Sequence, residues 1–295
     1  MKNYLNYFLE EFDYPEKSRT VLNKTYDSIQ NNEEAAALFN EIITAYDENF
    51  SISFALANEK YEKIATVTEE NSYTVGLLTY ICLSKKLREY YRNSNINEDI
   101  YRSSMLDLKY KLRECELVKG VEGSFVCFWF PGFFKLERFA LGRLQFEIIP
   151  SKHEYKKDGK TLHIGDPVIN VHIPRTGTPL LHEECARSYA WAKSFFADKF
   201  TNSPVAFCCT TWLFSPAILE ILNNASNIKR FAADFDIVAS GYREQGEYKD
   251  VWRLYDMDYT GDPSVLPEDT YLRREYKKYL LDGGPEGYGC GIFFA

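Results

Sequence analysis

Apolar side chains recur at helical spacing through the first 118 residues of the chain. Leu5, Phe8 and Phe12 show the steps of three and four residues that place side chains on one helix face, and similar steps continue to Leu112. Polar breaks, one of them at Asn49 to Ser51, divide this segment into five or six helices. We therefore predict an N-terminal helical bundle.

The pattern changes at Lys119-Gly120-Val121-Glu122-Gly123, where two glycines interrupt the helical spacing. We place a domain boundary here, which gives a helical N-terminal domain at residues 1–120 and a second domain at residues 121–295. The run from Phe125 to Phe130 consists of β-forming residues and is apolar on both faces, which predicts a buried strand. Pro131-Gly132 then predicts a turn.

Two alternating segments follow, at residues 143–149 and 168–173. Alternation of period two is typical of strands with one buried and one polar face. The charged connection between them contains Asp158-Gly159, a signal for a tight hairpin turn. If the two long strands pair, their polar faces combine into one surface. The polar positions on that surface are Arg143, Gln145, Glu147, Asn170 and His172.

The second strand stops at Pro174, and the short loop Arg175-Thr176-Gly177-Thr178 leads into a predicted helix from Pro179 to about Asp198. Thr178 suits the N-cap and Pro179 suits the first helical position. A helix that begins at a strand end offers backbone N–H groups to an anion. An ordinary strand-to-helix turn uses the same residues, but a cation at Arg175 favours a visiting anion.

The remaining chain alternates between strand and helix patterns. We predict strands at 205–211, 235–239, 251–255 and 292–294, helices after Ser215-Pro216 and from Pro267 to Leu281, and a short helix or extended turn at 226–234. Its glycine-rich tail has the composition of a flexible turn. Antiparallel strands followed by strand–helix–strand units predict a mixed sheet flanked by helices, so the whole chain belongs to the α+β class.

Charge and cysteine usage exclude several classes of protein. The 295 residues carry a net charge of −8 with a pI near 5.3, which argues against general affinity for nucleic acid or anionic membranes. Seven cysteines without a CxxC pair indicate buried free thiols in a reducing compartment. The N-terminus lacks the pattern of a signal peptide, and no apolar window approaches about 18 residues. We expect a cytoplasmic protein without membrane or nucleic-acid partners.

Three phrases of the sequence carry a resemblance to a known family: GRLQFE (142–147), HIPRTGTPL (172–180) and LPEDTYLRR (266–274). They resemble a two-domain family of bacterial acyltransferase-like proteins within the GNAT superfamily. In that family a helical N-terminal domain precedes a GNAT-like C-terminal domain. The resemblance covers the chain from about residue 120 onward and extends loosely over the helical half.

The resemblance implies a donor, acetyl-CoA or another acyl-CoA, held at the loop after the second long strand. The superfamily pattern, Arg/Gln-x-x-Gly-x-Gly/Ala, binds pyrophosphate through backbone N–H groups. Its counterparts here are Arg175, Gly177 and the N–H groups of Thr176 and Thr178, with the thioester along the strand that ends at Ile173. The loop is one residue shorter than that pattern, Pro179 removes a donor, and residues 216–224 lack the tyrosine usually found near the leaving thiolate.

The polar strand surface supplies candidate catalytic chemistry. Amine acylation needs a base that takes a proton from the nucleophile, and Glu147 and His172 are the predicted bases. Four further residues are predicted to bind the acceptor, a small-molecule or peptide amine: Arg143, Gln145, Asn170 and Trp212. The alternative is that this surface is the solvated face of a sheet. His182-Glu183 does not continue into a metal-binding pattern, so we predict no metal.

Two other functions are compatible with the same residues. A non-catalytic GNAT-like module that binds a ligand or a protein would retain the fold without the chemistry, as Pro179 and the missing tyrosine suggest. A cysteine hydrolase would use Cys208 or Cys209 as nucleophile and His172 as base, although buried cysteines are more often small apolar side chains. The sequence is also compatible with an oligomer.

Overall fold

The structure is a computed structural model that describes residues 1–48, 53–201 and 203–295. The chain forms two compact units, Met1–Phe139 and Ala140–Ala295. The first unit is helical, and the second contains a mixed sheet with helices, so the predicted α+β class is confirmed. The domain boundary between residues 120 and 121 stays a prediction.

Among the residues that the structure describes, six α-helices build most of the first unit. They are α1 (Lys2–Glu11), α2 (Glu16–Asn31), α3 (Glu33–Glu48), α4 (Phe54–Thr68), α5 (Ser72–Asn93) and α6 (Glu98–Lys119). The predicted helical pattern is confirmed in the described residues, and the predicted break at residues 49–51 lies outside them. Helix α5 is the central element, because it contacts α1 to α4 and α6 and buries residues on all of its faces.

The aromatic run after α6 is helical, so the strand predicted at residues 125–130 was wrong. Residues Cys127–Trp129 form a 3₁₀ turn and Pro131–Phe134 form the short helix α7. Phe130, Phe133 and Phe134 are fully buried, and the rings of Phe130 and Phe134 each lie 5.0 Å from the ring of Tyr80. The spacing of these three phenylalanines is that of a helix face, which the continuous apolar run concealed.

In the described part of the chain after α7, eight strands follow in chain order. They are β1 (Arg138–Leu141), β2 (Leu144–Pro150), β3 (Tyr155–Lys157), β4 (Lys160–Leu162), β5 (Pro167–His172), β6 (Ala206–Thr211), β7 (Asp236–Tyr242) and β8 (Gly287–Phe294). Six form one sheet in the order β1-β2-β5-β6-β8-β7, and β3 and β4 pair separately. The β5–β6 pair is parallel, whereas β2–β5, β6–β8 and β7–β8 are antiparallel, so the sheet is mixed.

The β3–β4 hairpin confirms the turn signal in the charged connection. Asp158 and Gly159 both have positive φ angles, 50° and 76°, as the two central residues of a type I′ turn require. The hairpin packs against one sheet face through Tyr155 and Leu162. It therefore bounds the face that carries the polar residues of β2 and β5.

Helices cover the rest of the second unit. They are α8 (His182–Phe195), α9 (Pro216–Ile221), α10 (Asn227–Ala232), α11 (Val251–Tyr255) and α12 (Tyr271–Leu281). The strand predicted at 251–255 was wrong, since this segment is α11. Its start is held by Glu286, a buried carboxylate that accepts hydrogen bonds from the N–H groups of Lys249, Asp250 and Val251. A cap from so far along the chain leaves no local sequence signal.

The glycine-rich tail is an ordered strand rather than a flexible turn. In β8, a Cβ added at Gly287 would lie 2.5 Å from Ser215, one at Gly289 would lie 2.5 Å from the Phe214 carbonyl oxygen, and one at Gly291 would lie 2.6 Å from Phe235. These glycines alternate along the strand and so lie on one face. Because the glycines lack side chains, Phe214 and Phe235 can pack directly against the backbone of β8.

Candidate functional site

The antiparallel ladder between β2 and β5 brings polar residues onto one sheet face. Glu147 lies opposite Asn170, and Gln145 lies opposite His172. Directly opposed residues of an antiparallel pair point to the same face. Helix α8 packs on the other face, where its Tyr189 ring lies 5.4 Å from the ring of Phe207. The pairing expected from the alternation is thus present.

Three of these residues are in direct contact. His172 Nε2 lies 2.7 Å from Glu147 Oε1, and Asn170 Nδ2 donates a hydrogen bond to the same oxygen over 3.2 Å. Asn170 Nδ2 also lies 3.1 Å from His172 Nε2, so this ring nitrogen donates or accepts according to the tautomer of His172. The side chains of Glu147 and His172 remain 16% and 21% exposed. We call Glu147, Asn170 and His172 the polar cluster.

Gln145 and Cys208 lie beside the polar cluster. Gln145 shares its face by register but is 1% exposed, so a substrate could reach it only after neighbouring side chains moved. The Cys208 thiol lies 3.5 Å from Asn170 Oδ1 and donates toward it. Burial, with smaller effects from Cys290 and Glu147, raises the pKa of this thiol to about 12. Cys208 is therefore protonated at neutral pH, which disfavours it as a nucleophile.

Arg143 lies outside the polar cluster and instead holds the loop that follows β5. Its Nη1 donates to the carbonyl oxygen of Pro174 over 3.1 Å, Nη2 to that of Thr178 over 3.3 Å and Nε to that of Pro179 over 3.4 Å. The backbone N–H of Arg143 also donates to Ser188 in α8. The residue predicted to bind substrate thus fixes the course of the loop.

The helix start predicted at Pro179 was wrong, because α8 begins at His182 with Leu181 as its N-cap. Arg143 holds the Thr178 and Pro179 carbonyl groups before the helix. The Thr178 side chain does not cap α8 but lies 2.7 Å from the Thr176 hydroxyl. The first turn of the helix carries Glu183 and Glu184, which stabilise the helix dipole and oppose an anion there.

The loop itself is shaped by Gly177 and two threonines. Gly177 has a φ angle of 83°, a left-handed conformation that favours glycine. The N–H of Thr176 donates to the Pro174 carbonyl oxygen over 3.0 Å, and the N–H of Thr178 donates to the Thr176 hydroxyl over 3.2 Å. Residues 177 to 179 are exposed. We call residues 174–181 the donor loop.

Arg175 forms an ion pair with Asp256, which directly follows α11. The other Asp256 oxygen lies 2.7 Å from Arg273 Nη2 in α12. An anion does lie beside Arg175, as its position next to the predicted helix start suggested, but that anion is a side chain of the protein. Asp256 was missed at the sequence level because no pattern surrounds it, whereas Arg273 falls within LPEDTYLRR.

The sheet opens beside the polar cluster. Strands β5 and β6 run parallel, yet their ladder contains only two residue pairs, Ile169 with Phe207 and Asn170 with Cys208. Ile173 lies one residue past the ladder to β2 as well. In the described part of the sheet, the edges of β5 and β6 beyond Asn170 are therefore not paired with each other. The unpaired stretch of β5 contains His172 of the polar cluster and leads through Ile173 to the donor loop.

Two family models match the chain. A model of the N-acyltransferase N-terminal domain matches residues 3–136, and a model of the GNAT-like C-terminal domain matches residues 139–293. Together they cover both compact units. The chain belongs to the two-domain N-acyltransferase family. The reaction class of this family is acyl transfer to nitrogen.

Three solved structures resemble the acyltransferase. One, an acyltransferase variant in complex with octanoyl-CoA, has 17% identity and a TM-score of 0.76 and covers 98% of this chain and 87% of its own. An acyltransferase in complex with decanoyl-CoA and teicoplanin has 17% identity and a TM-score of 0.72. The match covers 97% of this chain and 86% of that structure's chain. An acyltransferase in complex with decanoyl-CoA has 22% identity and a TM-score of 0.62. The match covers 75% of this chain and 66% of that structure's chain. These likenesses support the fold. No curated protein matches the sequence.

Trp212 begins the 3₁₀ turn Trp212–Phe214 that follows β6. It is partly buried and packs against an apolar cluster that includes Ile218, Val251 and Tyr276. In the acyltransferase this residue therefore joins the end of β6 to the layer of α9, α11 and α12. Its predicted contact with substrate stays a prediction.

All seven cysteines of the acyltransferase are free and buried, as the sequence indicated. Within residues 1–48, 53–201 and 203–295, no three His, Cys, Asp or Glu side chains are grouped so as to hold a metal ion. None of the described helices combines the length and apolar character that a bilayer crossing requires.

Proposed function

We propose that the acyltransferase binds acyl-CoA with its thioester in the opening between β5 and β6 and transfers the acyl group directly to an amine. One observation carries this proposal: the β5–β6 ladder ends at Asn170, where the Glu147–His172 pair also lies. A thioester at Ile173 would lie between that pair and the donor loop. The reacting carbon would thus lie beside a group that accepts protons.

The donor loop is the proposed site for the pyrophosphate. Ile173, Arg175, Thr176, Gly177 and Thr178 are the proposed donor-binding residues. Oxygen atoms of the pyrophosphate would replace the Thr176 hydroxyl as acceptor for the Thr178 N–H, since charge-assisted hydrogen bonds are the stronger ones. The left-handed backbone at Gly177 keeps the loop close to the chain end of β5. Support for this placement comes from the exposure of residues 177 to 179.

The polar cluster is the proposed base. An aliphatic amine is an ammonium ion at neutral pH, and it must lose a proton before its nitrogen can attack. Glu147 would accept that proton, and His172 and Asn170 would hold the carboxylate in place through the hydrogen bonds to Oε1. Arg143 would act through the loop, whereas Gln145, Asn170 and Trp212 are the proposed acceptor-side residues.

The proposed reaction needs no acyl-enzyme. The amine nitrogen forms a bond to the thioester carbon, and the backbone N–H of Ile173 would stabilise the oxyanion. The tetrahedral intermediate collapses by breaking the carbon–sulfur bond, and the nitrogen gives its second proton to the Glu147–His172 pair, which by then has released the first proton to solvent. The CoA thiolate takes a proton from solvent, in keeping with the absence of tyrosine from α9.

The solved relatives suggest a substrate class. They were crystallised with octanoyl-CoA or decanoyl-CoA, and one of them also with teicoplanin. We therefore propose a medium-chain acyl group and a small-molecule or peptide amine as acceptor, with acetyl-CoA as the donor of second choice. The net charge of −8 suits a cationic amine more than an anionic partner.

Calorimetric titration tests the donor. We expect octanoyl-CoA and decanoyl-CoA to bind at micromolar concentration and acetyl-CoA to bind more weakly. Release of free CoA thiol with a panel of primary amines, including teicoplanin, tests the transfer. Binding without thiol release for any amine would point to a non-catalytic module, and the absence of binding at millimolar donor would overturn the proposal.

A further inference from the structure

Arg175 is the cation of the donor loop, and its guanidinium is held from one side by a carboxylate. Nη1 of Arg175 and Oδ1 of Asp256 form the ion pair, and both atoms are shielded from solvent. Screening by salt is weak for shielded charges. The Arg175 side chain is 36% exposed as a whole, so the guanidinium is anchored while part of the side chain reaches solvent.

Asp256 is itself rigidly placed. It ends α11 with a φ angle of 59°, and its N–H donates to the Trp252 carbonyl oxygen over 2.8 Å. A positive φ is uncommon outside glycine and persists where the surroundings enforce it. The start of α11 is held by Glu286. The carboxylate is thus fixed by the fold before it meets Arg175.

Arg273 fixes the other side of Asp256. Its Nη2 contacts Asp256 Oδ2 over 2.7 Å, its Nε donates to the Leu254 carbonyl oxygen over 2.8 Å, and its Nη1 lies 2.9 Å from Asp269. The three side chains form a row of alternating charge, Arg175–Asp256–Arg273, which joins the donor loop to α11 and α12. With Asp269 included, two arginines and two carboxylates balance each other.

We propose that Asp256, held by Arg273, is a positioning residue that sets the place of the Arg175 guanidinium and so raises affinity for the diphosphate of the acyl-CoA donor. This inference rests on the proposed function. An arginine side chain loses much rotamer freedom when it binds an anion. Because the row orders Arg175 in advance, the donor meets a cation that has already lost this freedom.

Asp256→Asn tests the proposal with little change in shape. Asparagine also tolerates the left-handed conformation, so the backbone is preserved. We expect the KM for decanoyl-CoA to rise roughly three- to tenfold with little change in kcat, as the cost of ordering one long side chain suggests. Asp256→Glu, which keeps the charge, should restore part of the affinity.

Asp269→Asn is the matched control. Asp269 pairs with the same Arg273, but it is 59% exposed and does not contact Arg175. We expect Asp269→Asn to have the same KM for decanoyl-CoA as the wild type. A donor without phosphate groups, S-decanoyl-pantetheine, gives a second readout, because the effect of Asp256→Asn should vanish with it. A variant that is merely misfolded would lose activity toward both donors.

Three outcomes would overturn the inference: an unchanged KM, a lowered KM, or an equal loss with both donors. A lowered KM would mean that Asp256 competes with the diphosphate for Arg175. Failure of the proposed function is distinguishable, since the wild-type protein would then bind no acyl-CoA in calorimetry. Circular dichroism and the melting temperature of each variant exclude a loss of fold.

Discussion

The polar cluster and the donor loop lie next to each other, but they are built in different ways. The cluster is placed by a regular ladder in which Glu147 opposes Asn170, so the strand backbone alone brings its side chains together. The donor loop follows no repeating pattern. Its backbone is held by Arg143, and its one cation, Arg175, is held by Asp256.

The polar cluster is therefore placed by local backbone geometry, whereas the path of the donor loop is set by contacts with residues distant in the sequence. A strand has a period of two, so a slip by one residue would move every side chain of β5 to the other face. A loop has no such constraint, and its path depends on the carbonyl groups that a distant side chain can reach. We therefore expect substitutions in the cluster to affect the chemical step, and substitutions around the loop to affect donor affinity.

Glu147→Gln should give the largest effect. The amide keeps the size of the side chain but cannot take the proton, so we expect kcat to fall about 10²- to 10⁴-fold while donor affinity is unchanged. Steady-state kinetics with a saturating amine and calorimetry with decanoyl-CoA measure the two quantities. If kcat survives, the cluster is a solvated sheet face.

Glu154→Gln controls for the change itself. Glu154 is 73% exposed and precedes the hairpin, so its amide should leave both kcat and KM unchanged. A pH profile adds a second check. The activity of the wild type should fall on the acid side as Glu147 or His172 is protonated, and this limb should move or disappear in Glu147→Gln.

Several features of the molecule could be predicted because their causes are local. The Asp158-Gly159 turn, the alternation of β2 and β5 and the burial of the cysteines follow from steric preference or periodicity. The aromatic run and α11 could not be assigned, because tertiary contacts decide them: Phe130 packs against Tyr80, and Glu286 caps the start of α11. Continuous apolar runs are ambiguous between helix and strand for this reason.

The candidate site divides in the same way. A shared polar surface for Glu147 and His172 could be predicted as soon as the two strands were expected to pair, whereas their direct contact depends on the strand register. The start of α8 could not be predicted, because it depends on hydrogen bonds from Arg143 to carbonyl groups within the donor loop. Asp256 could not be found at all, since its only link to the donor loop is spatial.

Arg143→Lys should weaken the hydrogen bonds that hold the donor loop and leave the polar cluster unchanged. Lysine keeps the charge, but its single ammonium group cannot donate to the three carbonyl oxygens that the planar guanidinium of Arg143 reaches. We expect the KM for decanoyl-CoA to rise about tenfold, since hydrogen bonds from charged groups contribute roughly 1.5–3 kcal/mol when intact. A comparable fall in kcat at saturating donor would contradict the assignment. Arg230→Lys, at an exposed position in α10, is the control.

Gly177→Ala should have an effect of the same kind on the KM for decanoyl-CoA. A left-handed conformation costs an L-residue roughly 1–2 kcal/mol, which corresponds to a KM increase of about five- to thirtyfold if the loop must keep its shape to bind the donor. Gly165→Ala is a matched control, because Gly165 has a φ angle of 92° in an exposed turn. Both variants should lose similar stability in thermal melts. If Gly177→Ala had the same KM for decanoyl-CoA as the wild type, Gly177 would not be part of the donor site.

Alkylation of cysteines should have the smallest effect, although Cys208 contacts the polar cluster through Asn170. Burial raises the pKa of Cys208 to about 12 and that of Cys185 to about 11. At pH 8 only roughly one Cys208 thiol in ten thousand is a thiolate, and the thiolate is the reactive form. Brief treatment of the native protein with iodoacetamide should therefore leave activity intact and modify none of the seven cysteines by mass spectrometry. Rapid inactivation with a label on Cys208, prevented by decanoyl-CoA, would instead make the thiol part of the site and reverse the assignment of the base to Glu147 and His172.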